Sequence, residues 1–226
     1  MSREGILLID KPVGRTSFSL VAQMRRLSKI KKIGHAGTLD PFATGVLVLL
    51  IGKTYTRLSD SFLTDDKAYR AELTLGASTD SFDHTGIIKS QSEKIPSLEE
   101  IEAVLTRYQG MIEQTPPMFS AKKINGKKLY ELARKGQEIE RKPVPVTVKT
   151  TLISYEYPKL TIDVECSKGT YIRSLAHDIG LDLSCYAHLT ALKRTKSGAF
   201  RIEECIDGNR LDEPEFDYTA HIRTHS

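Results

Sequence analysis

The sequence predicts an α+β fold in one domain, and three stretches carry that prediction. Val46-Leu-Val-Leu-Leu-Ile51 is short, wholly apolar and closed by Gly52, the pattern of a strand covered on both faces and central in its sheet. Leu160, Ile162, Val164 and Cys166 alternate with Thr161, Asp163 and Glu165, a period of two that gives one buried and one wetter face. Between these strands Ser97 and Glu100 form a capping box after Pro96. Ile101, Val104, Leu105 and Tyr108 follow at helical spacing, with Gly110 placed to end the helix.

The remaining elements fall into order around these three. Gly5-Ile6-Leu7-Leu8-Ile9 reads as an opening strand. Gly34-His35-Ala36-Gly37-Thr38-Leu39-Asp40-Pro41-Phe42-Ala43-Thr44-Gly45 is a glycine-punctuated loop that runs straight into the apolar strand. Residues 115–142 carry prolines at or near both ends and read as a basic flap inserted between core elements. From Thr170 to Ile179 a helix is expected, with Ile172, Leu175, Ala176 and Ile179 on one face and Gly180 as the stop. Arg173 then lies near the helix start, off the apolar stripe. There it is either an ordinary surface arginine or, because the positive end of a helix dipole disfavours a cation, one with a carboxylate partner.

Composition limits the function classes. The chain has 226 residues, 39% of them hydrophobic, enough for a real core but not for a multidomain machine. The longest aliphatic run, 46–51, is far short of the roughly 20 residues a membrane helix needs, and the N-terminus lacks a signal-peptide pattern, so a soluble cytoplasmic protein is expected. Cys166, Cys185 and Cys205 are odd in number and form no C-x-x-C pair, so reduced structural thiols are expected. Gly52-Lys53-Thr54 looks like the end of a phosphate loop, but the required earlier glycine would fall at Leu47 inside a strand, which removes a nucleotide-binding reading.

Charge is unevenly spread. The net charge is +4, yet from Glu203 onward seven acidic residues face two arginines, so an acidic tail at 203–226 follows a basic body. Eight Lys or Arg lie between Lys122 and Lys142 against three Glu. Such an excess suits a polyanion, because each neutralised phosphate releases counterions, but it would equally serve as a solvated helix face.

The loop ending at Gly45 is where chemistry is expected. A rigid strand anchors one end, and Pro41 biases Asp40 toward extended dihedrals, which restricts where that carboxylate points. Taken alone, Asp-Pro between glycines is more commonly a simple turn.

The motifs settle between these readings by resemblance. Asp10-Lys11-Pro12-Val13-Gly14-Arg15-Thr16-Ser17, the Gly34–Gly45 loop, Lys67-Ala68-Tyr69 and Thr79-Asp80-Ser81-Phe82-Asp83-His84-Thr85-Gly86 stand in one order along the chain. They are followed by Gln114-Thr115-Pro116-Pro117-Met118-Phe119-Ser120-Ala121, Leu129-Tyr130-Glu131-Leu132-Ala133-Arg134, Cys166-Ser167-Lys168-Gly169-Thr170-Tyr171-Ile172-Arg173 and His188-Leu189-Thr190-Ala191-Leu192-Lys193-Arg194-Thr195. Across about residues 5–200 this series resembles the TruB family of tRNA pseudouridine synthases. The resemblance implies a pseudouridine-synthase fold: a central mixed, largely antiparallel sheet flanked by helices, with a basic thumb-like insertion. It also implies a base-flipping isomerase of the T-loop uridine at tRNA position 55, with no metal and no organic cofactor.

Residue roles follow by the same resemblance. Asp40 matches the family's catalytic carboxylate, which must attack or stabilise C1′ when the glycosidic bond breaks. Arg173 matches its arginine partner, whose charge would offset desolvation of the carboxylate. Tyr69 matches the tyrosine that stacks on the extruded uracil and could help move the C5 proton; a strand tyrosine half in the core is the plain alternative. Leu192 would pack on the same base, although such leucines are usually core. His35 matches a histidine that fills space near flipped nucleotides, and Tyr171 belongs to the same substrate-binding set. Lys11 either supports the loop, contacts phosphate or is an exposed structural lysine. Lys122, Lys123, Lys127, Lys128 and Arg134 of the insertion are expected to clamp the T stem-loop.

Many bacterial members continue into a C-terminal RNA-binding domain of the PUA type. Only 26 residues follow Phe200 here, so one catalytic domain spanning 1–226 without that domain is expected, monomeric and needing no guide RNA. Two rivals remain open: a non-catalytic tRNA folding chaperone, and a guide-dependent enzyme of the dyskerin type.

Overall fold

The computed structural model describes residues 3–59, 66–120, 123–124, 126–133, 136–137 and 139–224, and the chain folds into two compact units. Ten strands form a mixed, mainly antiparallel sheet, as the α+β reading requires.

The first unit comprises residues 1–70 and 192–226. Its centre is β1 (Gly5–Lys11) paired antiparallel with β3 (Thr44–Ile51) over the whole length of β1. Along its other edge β3 meets β2 (Ile33–Ala36) and, in parallel register at Thr44 and Gly45, the end of β12 (Ala187–Ser197). This double flank explains the unbroken apolar run. Leu47, Leu49 and Ile51 pack with Leu7 and Ile9 against Leu20, Val21 and Met24 of α1 (Ser17–Ser28), while Val46, Val48 and Leu50 pack with Ile6 and Leu8 on the opposite face. Each such aliphatic side chain contributes about 1.5–3 kcal/mol when fully buried, so neither face of β3 tolerates a polar residue.

The acidic tail is part of this core. Leu211, Phe216 and Tyr218 join the α1 face, and Ile206 and Asp207 form β14 (Ile206–Asp207), parallel to β1. Its charges are partly matched by basic residues of the same unit, with Arg15–Asp212 at 2.8 Å and Arg223–Glu204 at 2.6 Å.

The second unit comprises residues 71–191. Here β10 (Val144–Glu156) lies between β7 (Gln109–Gln114) and β11 (Lys159–Cys166), antiparallel to both. The alternation read at 160–166 is present, with Leu160, Ile162, Val164 and Cys166 all buried. The capping box at Ser97 and Glu100 opens α3 (Leu98–Leu105), but the helix stops before Gly110. The chain first tightens, the Arg107 and Tyr108 amides donating three residues back to the Val104 and Leu105 carbonyls at 3.0 and 3.1 Å. The Leu105 carbonyl also accepts from Gln109 Nε2 and from Thr150 Oγ1 of β10, each at 3.2 Å, and the Gln109 backbone then pairs with Lys149 of β10. Gly110, at φ +85°, lies in β7.

Gly180 also proves not to be a stop. The helix expected from Thr170 is α5 (Ile172–Asp182), and Gly180 sits inside it. A Cβ there would lie 2.2 Å from the Ala187 nitrogen, so the glycine is required by close packing of the returning chain on the helix.

Between β7 and β10 the insertion holds β8 (Lys123–Ile124), β9 (Lys127–Lys128) and the short α4 (Leu129–Ala133). Met118, Leu129 and Leu132 bury each other in a small cluster of their own, backed by Phe119 and Ile139. Lys122 and Arg134 lie outside the described residues. Lys123 and Lys127–Lys128 lie on the two strands of this hairpin.

Candidate active site

The Asp40 loop joins β2 to β3, and its backbone is tied on both sides of the half-buried carboxylate. On the near side, the Leu39 amide donates to Ser17 Oγ at 3.0 Å. On the far side, the Pro41 carbonyl accepts from the Gly14 amide at 2.8 Å and from Lys11 Nζ at 3.1 Å. The Ala43 amide closes the turn on the Asp40 carbonyl at 3.1 Å, and Asp10 Oδ1 receives the Gly45 amide at 3.0 Å. Asp40 is therefore presented from a backbone with few ways to move, the condition for a reacting group to be held in register.

Lys11 is fully buried, and its ammonium donates to the carbonyls of Pro12, Arg15 and Pro41. These use the three protons of an ammonium, leaving none for a phosphate. Of the roles open from sequence, support of the loop is the one this geometry fits, and the exposed lysine is excluded. Burial pushes its pKa down to about 8, with Asp40 opposing the shift and Arg15 and Arg194 adding to it.

Arg194 is a residue that sequence reasoning quoted within a motif but did not single out. It is 1% exposed. Its Nε donates to the Val46 carbonyl at 2.7 Å and its Nη2 to the Gly37 carbonyl at 3.0 Å. Nothing in the local pattern marks it, because both partners are about 150 positions away in the chain.

His35 sits on β2 opposite Leu49. Its Nδ1 is buried with no hydrogen-bond partner among the described residues, and burial, then Arg194, lowers its pKa. The ring is thus neutral at pH 7. Tyr69 is half-buried on β4 (Lys67–Leu75), and Leu192 is buried in the middle of β12, its carbonyl accepting from Thr44 Oγ1 at 3.5 Å.

Arg173 belongs to the second unit, in the first turn of α5, and is 6% exposed, so the surface-arginine alternative is excluded. Its Nη1 donates to the Ser81 carbonyl at 3.1 Å and lies 3.5 Å from Asp83 Oδ2, while its Nη2 donates to the Phe119 carbonyl at 2.7 Å. Asp83, 4% exposed, also accepts from Ser81 Oγ at 2.8 Å and from the Thr85 amide at 3.0 Å. The carboxylate partner anticipated for a cation at a helix start thus includes Asp83, a residue that sequence reasoning quoted but assigned no role. Tyr171 caps the same helix, its amide donating to Gln114 Oε1 at 2.8 Å and its carbonyl accepting from Gln114 Nε2 at 3.1 Å. Ser174 Oγ donates to the Thr115 carbonyl at 2.9 Å, so the base of the insertion is fastened to α5 at Thr115 and Phe119.

Comparison with known proteins shows the family. Residues 25–172 match the TruB family pseudouridylate synthase N-terminal domain, and residues 173–221 match the tRNA pseudouridylate synthase B C-terminal domain. The chain belongs to the TruB family. A TruB relative from Chlamydia trachomatis serovar L2, tRNA pseudouridine synthase B, is 57% identical over 222 residues, 98% of this chain and 92% of its own length. Another of the same name, from Protochlamydia amoebophila, is 61% identical over 208 residues, 92% of this chain and 79% of its own. Among solved structures, a Cbf5-Nop10-Gar1 complex matches with a TM-score of 0.76 at 28% identity, covering 98% of this chain. An H/ACA RNP bound to a substrate RNA containing 2′-deoxyuridine matches at 0.70 and 25%. The TruB chain spans 60% and 59% of those two solved chains. No helix among the described residues is long and apolar enough to cross a membrane.

Proposed function

We propose that this chain converts the T-loop uridine at position 55 of tRNA to pseudouridine, with Asp40 as the carboxylate acting at C1′. One observation carries the reading: relatives 57–61% identical over 92–98% of the chain are tRNA pseudouridine synthases. The chain is accordingly an isomerase acting on tRNA. Breaking the N1–C1′ bond, turning the uracil and forming C5–C1′ moves the C5 proton and leaves N1 protonated, so substrate and product are isomers and no co-reactant is consumed.

A carboxylate held from a tied backbone suits either attack at C1′ or stabilisation of positive charge there. The resemblance assigns Arg173 to the same reaction, Tyr69 to stacking and proton movement, and Leu192 to the flipped base. Stacking of that base on an aromatic ring is worth about 1–3 kcal/mol, part of the unstacking cost. The resemblance assigns His35 to the space near the flipped nucleotides. The Lys-rich insertion would supply phosphate contacts, and a protease that nicks it no faster in free protein than in complex would count against that role.

The test is incubation with unmodified tRNA transcript and carbodiimide mapping of pseudouridine at single-nucleotide resolution. Wild type should produce one stop, at position 55, and Asp40→Asn should bind tRNA but produce none. A wild-type protein that binds and modifies nothing would make the chain a folding chaperone instead.

A further inference from the structure

We propose that Arg194 is a positioning residue for the reaction: it clamps the two stems of the loop that carries Asp40 and so sets where that carboxylate stands. The inference rests on the reading of Asp40 as the catalytic carboxylate.

Four observations support it. First, the guanidinium bridges the loop, bonding the carbonyl of Gly37 three residues before Asp40 and the carbonyl of Val46 six residues after it. Second, the loop's glycines are shaped around this one residue. A Cβ on Gly37 would lie 3.2 Å from Arg194 Nη1, and a Cβ on Gly45 would lie 2.2 Å from the Arg194 carbonyl oxygen. Their positive φ values, +78° and +101°, allow the approach. Third, β12 pairs with β3 in parallel register at this residue, Arg194 opposite Gly45, so the clamp is mounted on the sheet rather than on another loop. Fourth, the cation is 1% exposed and has no carboxylate at ion-pair distance among the described residues. An interior arginine bonded only to main-chain carbonyls is costly to bury, and an apolar side chain would fill the space more cheaply. Holding Gly37 and Val46 at a fixed separation is what the guanidinium does there that an aliphatic residue cannot. Its fork geometry also matters: two donors about 2.3 Å apart reach both carbonyls at once, whereas a lysine ammonium on a single stem reaches one well.

The experiment measures single-turnover pseudouridylation and tRNA affinity for Arg194→Lys, Arg194→Met, Gly37→Ala and the Arg194→Met/Gly37→Ala pair, with Asp40→Asn alongside, all at a temperature where circular dichroism shows each protein folded. Arg194→Met should slow the chemical step by about 100-fold, the penalty for an approximately 1 Å misplacement, with Kd for tRNA within about threefold of wild type. Arg194→Lys should fall between the two. Gly37→Ala should slow wild type but have a smaller effect in the Arg194→Met background, because the group it crowds is gone. If Arg194→Met does not fold, Arg194→Lys and the effect of Gly37→Ala on the wild-type rate decide. The proposal is overturned if the folded Arg194 variants react at the wild-type rate, or if rate and affinity fall together. An active Asp40→Asn would instead remove the reading beneath it, so the two failures are separable.

Discussion

Lys11 makes an alkaline-pH prediction whose sign can be worked out from the structure. Burial lowers its pKa from 10.5 to about 8. At about 1.36 kcal/mol per pH unit, that difference is a penalty of roughly 3 kcal/mol carried by the folded state at neutral pH. Below pH 8 the lysine is charged in both states and the penalty is constant. Between pH 8 and 10.5 the folded lysine sheds its proton while the unfolded one keeps it, so the unfolded state binds more protons and this lysine's contribution becomes more stabilising as pH rises. Other groups push the opposite way: the Cys205 thiol is raised to about 12, and the Tyr108 and Tyr218 hydroxyls are also raised, mainly by burial. The lysine must therefore be isolated by difference. Urea unfolding of wild type and Lys11→Met at pH 7.5, 8.5, 9.5 and 10 should show the wild type gaining about 1–3 kcal/mol relative to the variant over that range. Asp40 opposes the downward shift, so in an Asp40→Asn background the gain should begin at lower pH. A wild-type minus variant difference that is flat, or that falls as pH rises, refutes a buried ammonium at this position.

Three further outcomes follow from the geometry. Burial and the neighbouring Asp182 raise the Asp178 carboxyl to about 6, so its ionisation destabilises the fold as pH climbs from about 4 to 6. Asp178→Asn should therefore raise stability by about 1–2 kcal/mol at pH 7.5 and change little at pH 4, read by thermal melts at the two pH values. Gly45→Ala places a Cβ 2.2 Å from the Arg194 carbonyl oxygen at φ +101°, and should cost at least about 3 kcal/mol in urea unfolding. Asp83→Asn keeps the shape but removes the charge facing buried Arg173; it should lower stability by about 1–3 kcal/mol and slow single-turnover modification by tenfold or more without weakening tRNA binding.

Much of this protein was legible before any coordinate. The short apolar run from Val46 to Ile51, closed by Gly52, has the pattern of a strand with both faces covered, and the capping box at Ser97 marks a helix start by side-chain chemistry that acts within four residues. Asp40 could be singled out only through the family resemblance of the motifs, since Asp-Pro between glycines reads by itself as a turn. What the chain does with its long polar side chains was not legible. Lys11, Arg194, Arg173 and Asp83 look like surface residues by composition, yet all are buried, because each has at least one partner that only folding brings near: Pro41 for Lys11, Gly37 and Val46 for Arg194, and Asp83 and Arg173 for one another. The misplaced ends at Gly110 and Gly180 have the same origin: Gln109 pairs with Lys149 of β10 and so leaves one helix for a strand, and the backbone of Ala187 packs where a Cβ would have stood on the other. Periodicity records which face of an element avoids water. Only tertiary packing decides which polar group waits on that face, since the energy of a buried hydrogen bond depends on ångström distances that residues as far apart as Gly37 and Arg194, 157 positions, reach only after folding.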